Sequence, residues 1–484
     1  MKPTRPSVTP LRRRAFLLAA ASTTLLSACA SAPGSLSASA TATASASAST
    51  PPIVFVHGNG DSAALWTTTL WRFESNGWPR ERLFAVNLPY PLSRDLDGVA
   101  QAGRSSTADQ LAALTTEIDT VLRRTGASQV VLMANSRGGN VVRNYIASVG
   151  SAVGAAAGAA KVSHAILGGT PNHGVFADAA VRPGNEFNGA GPFLMGLNAP
   201  KGPNGDEVTP GPKWLTIRSD NNDKFTQADG VWLGTKGTPT HVTADGPALR
   251  GAENVVIAGI DHRETAYGET AFEQALRFIT GKPPLTLAIT PETRVVLDGL
   301  VAGFGIDNQQ GTAPSNLPLV GATVEVYATD ASTGARLGAA LHTRTIGADG
   351  RWGPFNADPQ ARYEFVAAAP GYATVHTYRS PFPRSSSVVG LRIERLLDAD
   401  KTAASVVTLS RPRGYFGVPR DRISLDGQSP PASLPVGTAG VATAKLKLSE
   451  GAGRAVVGEF NGERIVGRAW PTVENRMVVL ELHQ

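Results

Sequence analysis

The stretch Gln129-Val130-Val131-Leu132-Met133-Ala134-Asn135-Ser136-Arg137-Gly138-Gly139-Asn140-Val141-Val142 decides how this chain folds. It opens with an apolar, β-branched run of the length of a buried strand. Val141, Val142, Tyr145 and Ile146 then recur at helical spacing. The order is therefore strand, tight turn, helix. A nucleophile at such a turn is held in a strained backbone conformation, and small residues two before and two after it let strand and helix approach closely. Ala134 and Gly138 fill those two places. The helix after Ser136 also points its N-terminal amides at the place where negative charge would develop. Ser136 is thus a candidate nucleophile, although the hexapeptide alone also fits a plain turn serine.

Outward from this stretch, residues 52–283 alternate short β-branched runs with helical segments, the pattern of a mostly parallel sheet flanked by helices, an α/β domain. Its expected strands are Ile53 to Val56, Leu83 to Val86, Gln129 to Met133, His164 to Leu167, Trp214 to Ile217 and Val255 to Ile260. Thr107 with Gln110 predicts a capping box ahead of Leu111, Leu114, Ile118, Val121 and Leu122, which share one helical face. After Pro283-Pro284 the texture changes to short alternating strands between Gly, Pro, Asp and Asn turns, so the C-terminal region is all-β. It divides into residues 284–400 and a further β-rich stretch, 401–484, with expected strands at Val441 to Leu448 and Met477 to Leu482.

The chain begins differently. Residues 1–29 combine a positive segment ending in Arg12-Arg13-Arg14, an apolar run from Ala15 to Leu26 and small residues, the layout of an export signal. Arg13-Arg14-Ala15-Phe16-Leu17 resembles the twin-arginine export motif. Leu26-Ser27-Ala28-Cys29 resembles the bacterial lipoprotein box, which implies a lipid anchor on the chain's single cysteine at the cell envelope or periplasm; the alternative is a cleavage region around Ala28-Cys29-Ala30 with an incidental cysteine and a secreted chain. One cysteine cannot form a disulfide within the chain. Residues 30–51 are mostly Ser, Ala and Thr and read as a flexible tether. Of the formal net charge of +6, all but one unit comes from Lys2, Arg5, Arg12, Arg13 and Arg14. A mature chain near neutrality has no basic stripe, which excludes nucleic acid as a partner.

The remaining chemistry lies on loops after strands. Val255 to Ile260 delivers Asp261-His262-Arg263-Glu264, and His262 alone among eight histidines falls late in the α/β region at a strand end. His262 is the candidate base, and Asp261 and Glu264 beside it read as solvated or as outer support. After Trp214 to Ile217 comes an acidic loop in which Asp220 or Asp223 could orient the imidazole. A calcium loop is another reading of these acids, but Lys224 stands where a fifth ligand position would fall. His57 reads as loop-shaping, His164 as packing, and no pair of histidines has ligand spacing for zinc. A long stretch before Trp214 carries Val175, Phe176, Phe187, Phe193, Leu194, Met195 and Leu197, which could form an acyl-binding wall or lid, or simply anchor the loop.

The Ala-x-Ser-x-Gly turn at 134–138, the loop His57-Gly58-Asn59-Gly60 and the placing of His262 resemble bacterial and archaeal lipases and esterases of the α/β-hydrolase class. Ala134 replaces the more usual glycine, a variant of bacterial lipases. The resemblance implies backbone oxyanion donors at Asn59 and Arg137 and the chain order Ser, acid, His. It favours Asp223, since Asn222-Asp223-Lys224-Phe225-Thr226 resembles the acid loop of related hydrolases; Asp220 stays as the alternative. Gly168 to Asn172 resembles a Gly-Thr-Pro-His-like stretch of lipases, which makes His173 pocket-shaping or structural. Leu319 to Tyr327, the Ala348-Asp349-Gly350 turn, Tyr363 to Val366 and Pro370-Gly371-Tyr372 resemble the transthyretin-like or carboxypeptidase-regulatory-like sandwich. Together with the layout of residues 1–29, the resemblance implies an exported serine hydrolase of carboxylic esters, acylglycerols or aliphatic polyesters, working through an acyl-enzyme on Ser136 without metal or organic cofactor. Its partners would be an ester or lipid substrate, an interface or polymer surface, and the membrane only through Cys29. A non-catalytic surface-binding lipoprotein, or an amidase or acyltransferase of the same fold, is the alternative.

Overall fold

The computed structural model describes residues 50–148, 157–304, 313–450 and 453–484. The export signal, the lipoprotein box at Cys29 and nearly all of the tether lie outside the described residues. Six strands form one sheet: β1 (Ile53–Val56), β2 (Leu83–Ala85), β3 (Val130–Asn135), β4 (Val162–Gly168), β5 (Lys213–Arg218) and β6 (Glu253–Val256). They lie in the order β2-β1-β3-β4-β5-β6, every pair parallel.

Both faces are covered, which is why β1 and β3 are apolar at nearly every position. On one face Val54, Val56, Leu132 and Ala134 meet α2 (Thr107–Thr125) through Leu114, Ile118 and Val121, and α3 (Arg137–Ala147) through Val141 and Val142. On the other, Ile53, Phe55, Val131 and Met133 meet Leu70 and Phe73 of α1 (Thr67–Ser75). The helices α4 (Pro192–Asn198) and α5 (Glu264–Tyr267) are short, and α6 (Glu269–Thr280) completes this second face through Phe272, Ala275 and Leu276. The sheet's last strand is shorter than its sequence suggests. Ile257 N–H still bonds Arg218 O at 2.9 Å, and Gly259, at φ 77°, turns the chain away.

The cap of α2 also differs from expectation. Ser106, not Thr107, is the N-cap, and it forms a capping box with Asp109. Thr107 bonds Asp97 instead, and the Gln110 side chain reaches Tyr90 O and Ser105 Oγ. The cap sits one residue earlier than expected, with both the N–H and the hydroxyl of Thr107 donating to Asp97 outside the helix.

Strands from both halves of the C-terminal region share a seven-stranded sheet: β7 (Thr323–Thr329), β8 (His342–Thr345), β9 (Arg362–Ala368), β10 (Thr374–Arg379), β11 (Ser405–Ser410), β12 (Thr443–Leu448) and β13 (Arg476–Glu481). Their order is β8-β7-β9-β10-β13-β11-β12, with β13 parallel to both neighbours. A boundary at residue 400 therefore cuts through the sheet, since β13 pairs with β10 on one side and β11 on the other. Trp71 of α1 crosses into this region's core, where its Nε1–H donates to Ser385 O at 2.9 Å. Among the described residues no helix is long and apolar enough to cross a membrane. Ser106→Ala should cost about 1 kcal/mol by removing the α2 cap, read as a lower urea midpoint with an unchanged m-value.

Candidate active site

Ser136 stands at the carboxyl end of β3, in the turn into α3. Its backbone, at φ 53° and ψ −125°, is one that side-chain-bearing residues rarely adopt. Two contacts hold it there. Its N–H donates to Gly168 O at the end of β4 at 2.8 Å, and the first turn of α3 lies against the end of β1. A Cβ on Gly138 would lie 2.6 Å from the carbonyl oxygens of both Val56 and His57, so the need for a small residue there is a backbone contact. A Cβ on Gly58 would likewise lie 2.9 Å from Ser136 Cβ, which places the 57–60 loop directly against the serine.

The two residues expected to offer backbone donors, Asn59 and Arg137, lie on that loop and at the start of α3. Asn59 is exposed, and its side-chain Oδ1 accepts from Ser93 N–H at 2.8 Å, fixing the peptide. The Arg137 N–H is the first of α3 and has no partner within the helix. Below them His57 is buried. Its Nε2 accepts from Leu88 N–H at 3.1 Å, so Nδ1 carries the proton and donates to Gly58 O at 2.9 Å. The β region also reaches this loop, through Asn316 Nδ2 on Asp61 O at 2.8 Å and Arg392 on Gly60 O at 3.2 Å.

His262 follows β6. Its Nδ1–H donates to Asp223 Oδ2 at 2.8 Å, with both side chains buried and the Phe225 ring edge-on to the imidazole at 4.6 Å. Asp223 Oδ1 accepts from Phe225 N–H at 2.8 Å. Asp220 instead accepts from the N–H groups of Asn222 and Gly259, both at 3.0 Å. The structure therefore brings Asp223 to the imidazole and leaves Asp220 to shape the loop.

Nε2 of His262 is buried and has no hydrogen-bond partner among the described residues, so it is not bonded to Ser136 Oγ. Such bonds are commonly long before substrate arrives. Shared neighbours link the two residues. Asn135 Nδ2 bonds Gly168 O at 3.2 Å and His262 O at 3.4 Å. Gly169, at φ 56°, leaves room for the base: a Cβ there would fall 3.2 Å from His262 Cε1 and 2.7 Å from Thr265 Oγ1.

Asp261 is not solvated. It is wholly buried, its Oδ1 caps the turn at Arg263 and Glu264, and its Oδ2 accepts from Arg411 Nη1 at 2.7 Å and Tyr415 N–H at 2.9 Å. Burial opposes its ionisation, but the Arg411 charge and these donors outweigh it and hold the carboxyl below its usual range. Glu264 binds Arg411 at 2.6 Å and Arg420 at 2.8 Å.

The long stretch before β5 is anchored. Val175, Phe176, Leu194 and Leu197 are buried, and Met195 is exposed. Glu186 forms a buried ion pair with Arg137 at 2.6 Å. The Arg137 guanidinium also donates to Pro91 O and Ser105 Oγ, both at 3.0 Å, and to Ser105 O at 2.8 Å. This hub beside the serine was not evident from sequence, where only a cation inside a glycine-rich turn could have signalled it. His173 pairs with Glu207, His164 lies in β4 beside Ser163, and His342 and His376 are bonded within the β region. A cavity of about 370 Å³ borders Asp223 and Phe225, but neither Ser136 nor His262 lines it. Among the described residues no three His, Cys, Asp or Glu side chains gather as a metal site.

Residues 50–232 match the family model for lipase (class 2), and residues 293–396 that for the lipase C-terminal domain. The chain is a carboxylic ester hydrolase. The hydrolase is similar to a Bacillus licheniformis lipase in its mature form, at 20% identity over 48% of this chain and 92% of that one, with a TM-score of 0.33. It is also similar to Aspergillus fumigatus lipase B, at 16% identity over 49% of this chain and 54% of that one, TM-score 0.32. A Bacillus subtilis carboxylesterase is similar at 11% identity over 48% of this chain and 85% of that one, TM-score 0.26. No curated protein matches the hydrolase.

Burial pushes the His57 imidazole down to about 4. The unfolded chain, with an ordinary imidazole, therefore binds a proton between pH 6.5 and 4 that the folded hydrolase refuses, and stability falls as pH drops through that window. Between about pH 7 and about pH 4.5 the wild type should lose about 2 kcal/mol more than His57→Gln. Urea midpoints of the two at both pH values measure the difference.

Proposed function

We propose that the hydrolase is an exported serine esterase or lipase that cleaves the carboxylic esters of acylglycerols or aliphatic polyesters through an acyl-enzyme on Ser136. The observation that carries the reading is the buried 2.8 Å bond from His262 Nδ1–H to Asp223, formed beside the strained turn at Ser136. Ser136 Oγ attacks the ester carbonyl carbon as its proton passes to His262 Nε2, and the Asp223 carboxylate fixes the tautomer and offsets the imidazolium charge. The tetrahedral oxyanion takes the backbone N–H groups of Asn59 and Arg137, each such donor contributing about 3 kcal/mol. The intermediate expels the alcohol, which leaves with the His262 proton. Water, deprotonated by the same nitrogen, then attacks the acyl carbon; the acid departs and Ser136 recovers its proton. No step uses a cofactor.

The extracytoplasmic setting is supported by residues 1–29 and by Cys29 at the lipoprotein-box position. In that setting the substrate meets the enzyme at a lipid interface or polymer surface, with the anchored chain facing it from the cell envelope.

On p-nitrophenyl esters, tributyrin and a polyester film, Ser136→Ala should abolish turnover to the limit of detection. Asp223→Asn should lower kcat by roughly a thousandfold or more, and Asp220→Asn by far less. Matched amides should react much more slowly than esters. Full ester activity in Ser136→Ala would remove the serine from the mechanism, and no ester turnover by wild type would return the chain to a binding role. Purified from a membrane fraction, the mature chain should begin at Cys29 and carry the mass of a diacylglyceryl group.

A further inference from the structure

The acid loop follows β5 and the base loop follows β6, yet the C-terminal β region touches both, and its Tyr415 reaches the two together. On the base loop, Arg411 bonds Asp261 at 2.7 Å, Glu264 at 2.6 Å and Tyr267 OH at 2.6 Å, gripping residues on both sides of His262. Arg420 adds Glu264 at 2.8 Å and Gly259 O at 3.1 Å, and Pro412 O accepts from Arg263 at 3.1 Å. On the acid loop, Lys224 Nζ donates to Gly440 O at 3.0 Å, and Asn222 Oδ1 accepts from Ala439 N–H at 3.1 Å. Between the loops stands one ring. Lys224, the residue after Asp223, lies 4.0 Å from the centre of the Tyr415 ring, and Arg263, the residue after His262, lies 4.8 Å from it.

We propose that residues 411–420 are a positioning element of the catalytic site, in which Arg411 fixes the His262 loop and Tyr415 sets the spacing between that loop and Asp223. The proposal rests on the reading of Ser136, Asp223 and His262 as the reacting set. Arg411 and Tyr415 touch no reacting atom; they act through Asp261, Arg263 and Lys224. A base that can drift away from its carboxylate loses tautomer control and its aim at the serine, which lowers the chemical rate more than it lowers substrate binding. The C-terminal β region is thereby a working part of the site, in addition to any part it has in substrate engagement.

The test uses the full chain and p-nitrophenyl butyrate, with kcat and KM expressed per folded molecule and urea midpoints measured alongside. Arg411→Met should lower kcat about tenfold to a hundredfold while KM stays within about twofold, and Arg411→Lys should recover part of the loss. Tyr415→Leu should lower kcat in the same way. Arg454→Met removes an ion pair with Asp426 elsewhere in the β region, and it should leave kcat at the wild-type value even where stability falls. Wild-type kcat per folded molecule in Arg411→Met or Tyr415→Leu would overturn the proposal, as would an equal loss in Arg454→Met. If Arg411→Met does not fold, Tyr415→Leu, which removes no charge, decides alone. Retained turnover in Ser136→Ala would defeat the reading of the reacting set instead, an outcome the Arg411 series does not produce.

Discussion

All six strands of the first sheet run the same way, so every turn that leaves the carboxyl end of a strand opens at one edge, and the chemistry of the chain is gathered there. The loop after β1 brings Asn59, the turn after β3 brings Ser136, the loop after β5 brings Asp223 and the loop after β6 brings His262. Residues far apart along the chain become neighbours without any one of them being near another in sequence. Part of the edge is main chain against main chain: α3 rests on the Val56 and His57 carbonyls with no side chain between them. A methyl group at Gly138 would push α3, and Ser136 at its start, away from the end of β1.

An edge made of loops is soft by nature, because loops carry few buried apolar contacts of their own. Here the stiffness is supplied by polar groups taken out of water. Arg137 with Glu186 holds the side of the site beyond the serine, and Asp261 with Arg411 holds the side of the base. Desolvating such charges costs several kcal/mol each, and geometry must return that cost. At Asp261 four donors converge on two carboxylate oxygens. The C-terminal β region therefore contributes more than a neighbouring surface: Asn316 and Arg392 meet the loop after β1, and residues 411–440 meet the loops after β5 and β6.

The parts that could be read from sequence are those whose cause is local. Strand β3, the small residues around Ser136 and the helical spacing of α3 are neighbours along the chain, and so are legible together. The candidate acid needed more, because Asp220 and Asp223 share a loop and only three-dimensional placement separates a carboxylate that meets an imidazole from one that caps Asn222 and Gly259. The cap of α2 was displaced by one residue because Asp97, well upstream, takes Thr107. Arg411 left no trace in the pattern: its partners Asp261 and Glu264 lie far earlier in the chain, and an arginine before proline in a turn-rich region reads as surface. The division at residue 400 failed to mark a structural break for a related reason, since pairing between strands far apart in sequence is invisible to periodicity.

Strand β13 occupies an interior lane of the seven-stranded sheet, with β10 on one flank and β11 on the other, and it is built from residues 476–481. During synthesis both flanking strands have left the ribosome before the strand that will join them exists, so each presents an unsatisfied edge of the kind that recruits foreign strands. The parallel sheet holding Ser136 can assemble early. The module that steadies its acid and base loops is completed only once this late segment has been made. Chains cut short before residue 476 would thus carry every group of the reacting set while lacking the frame around it.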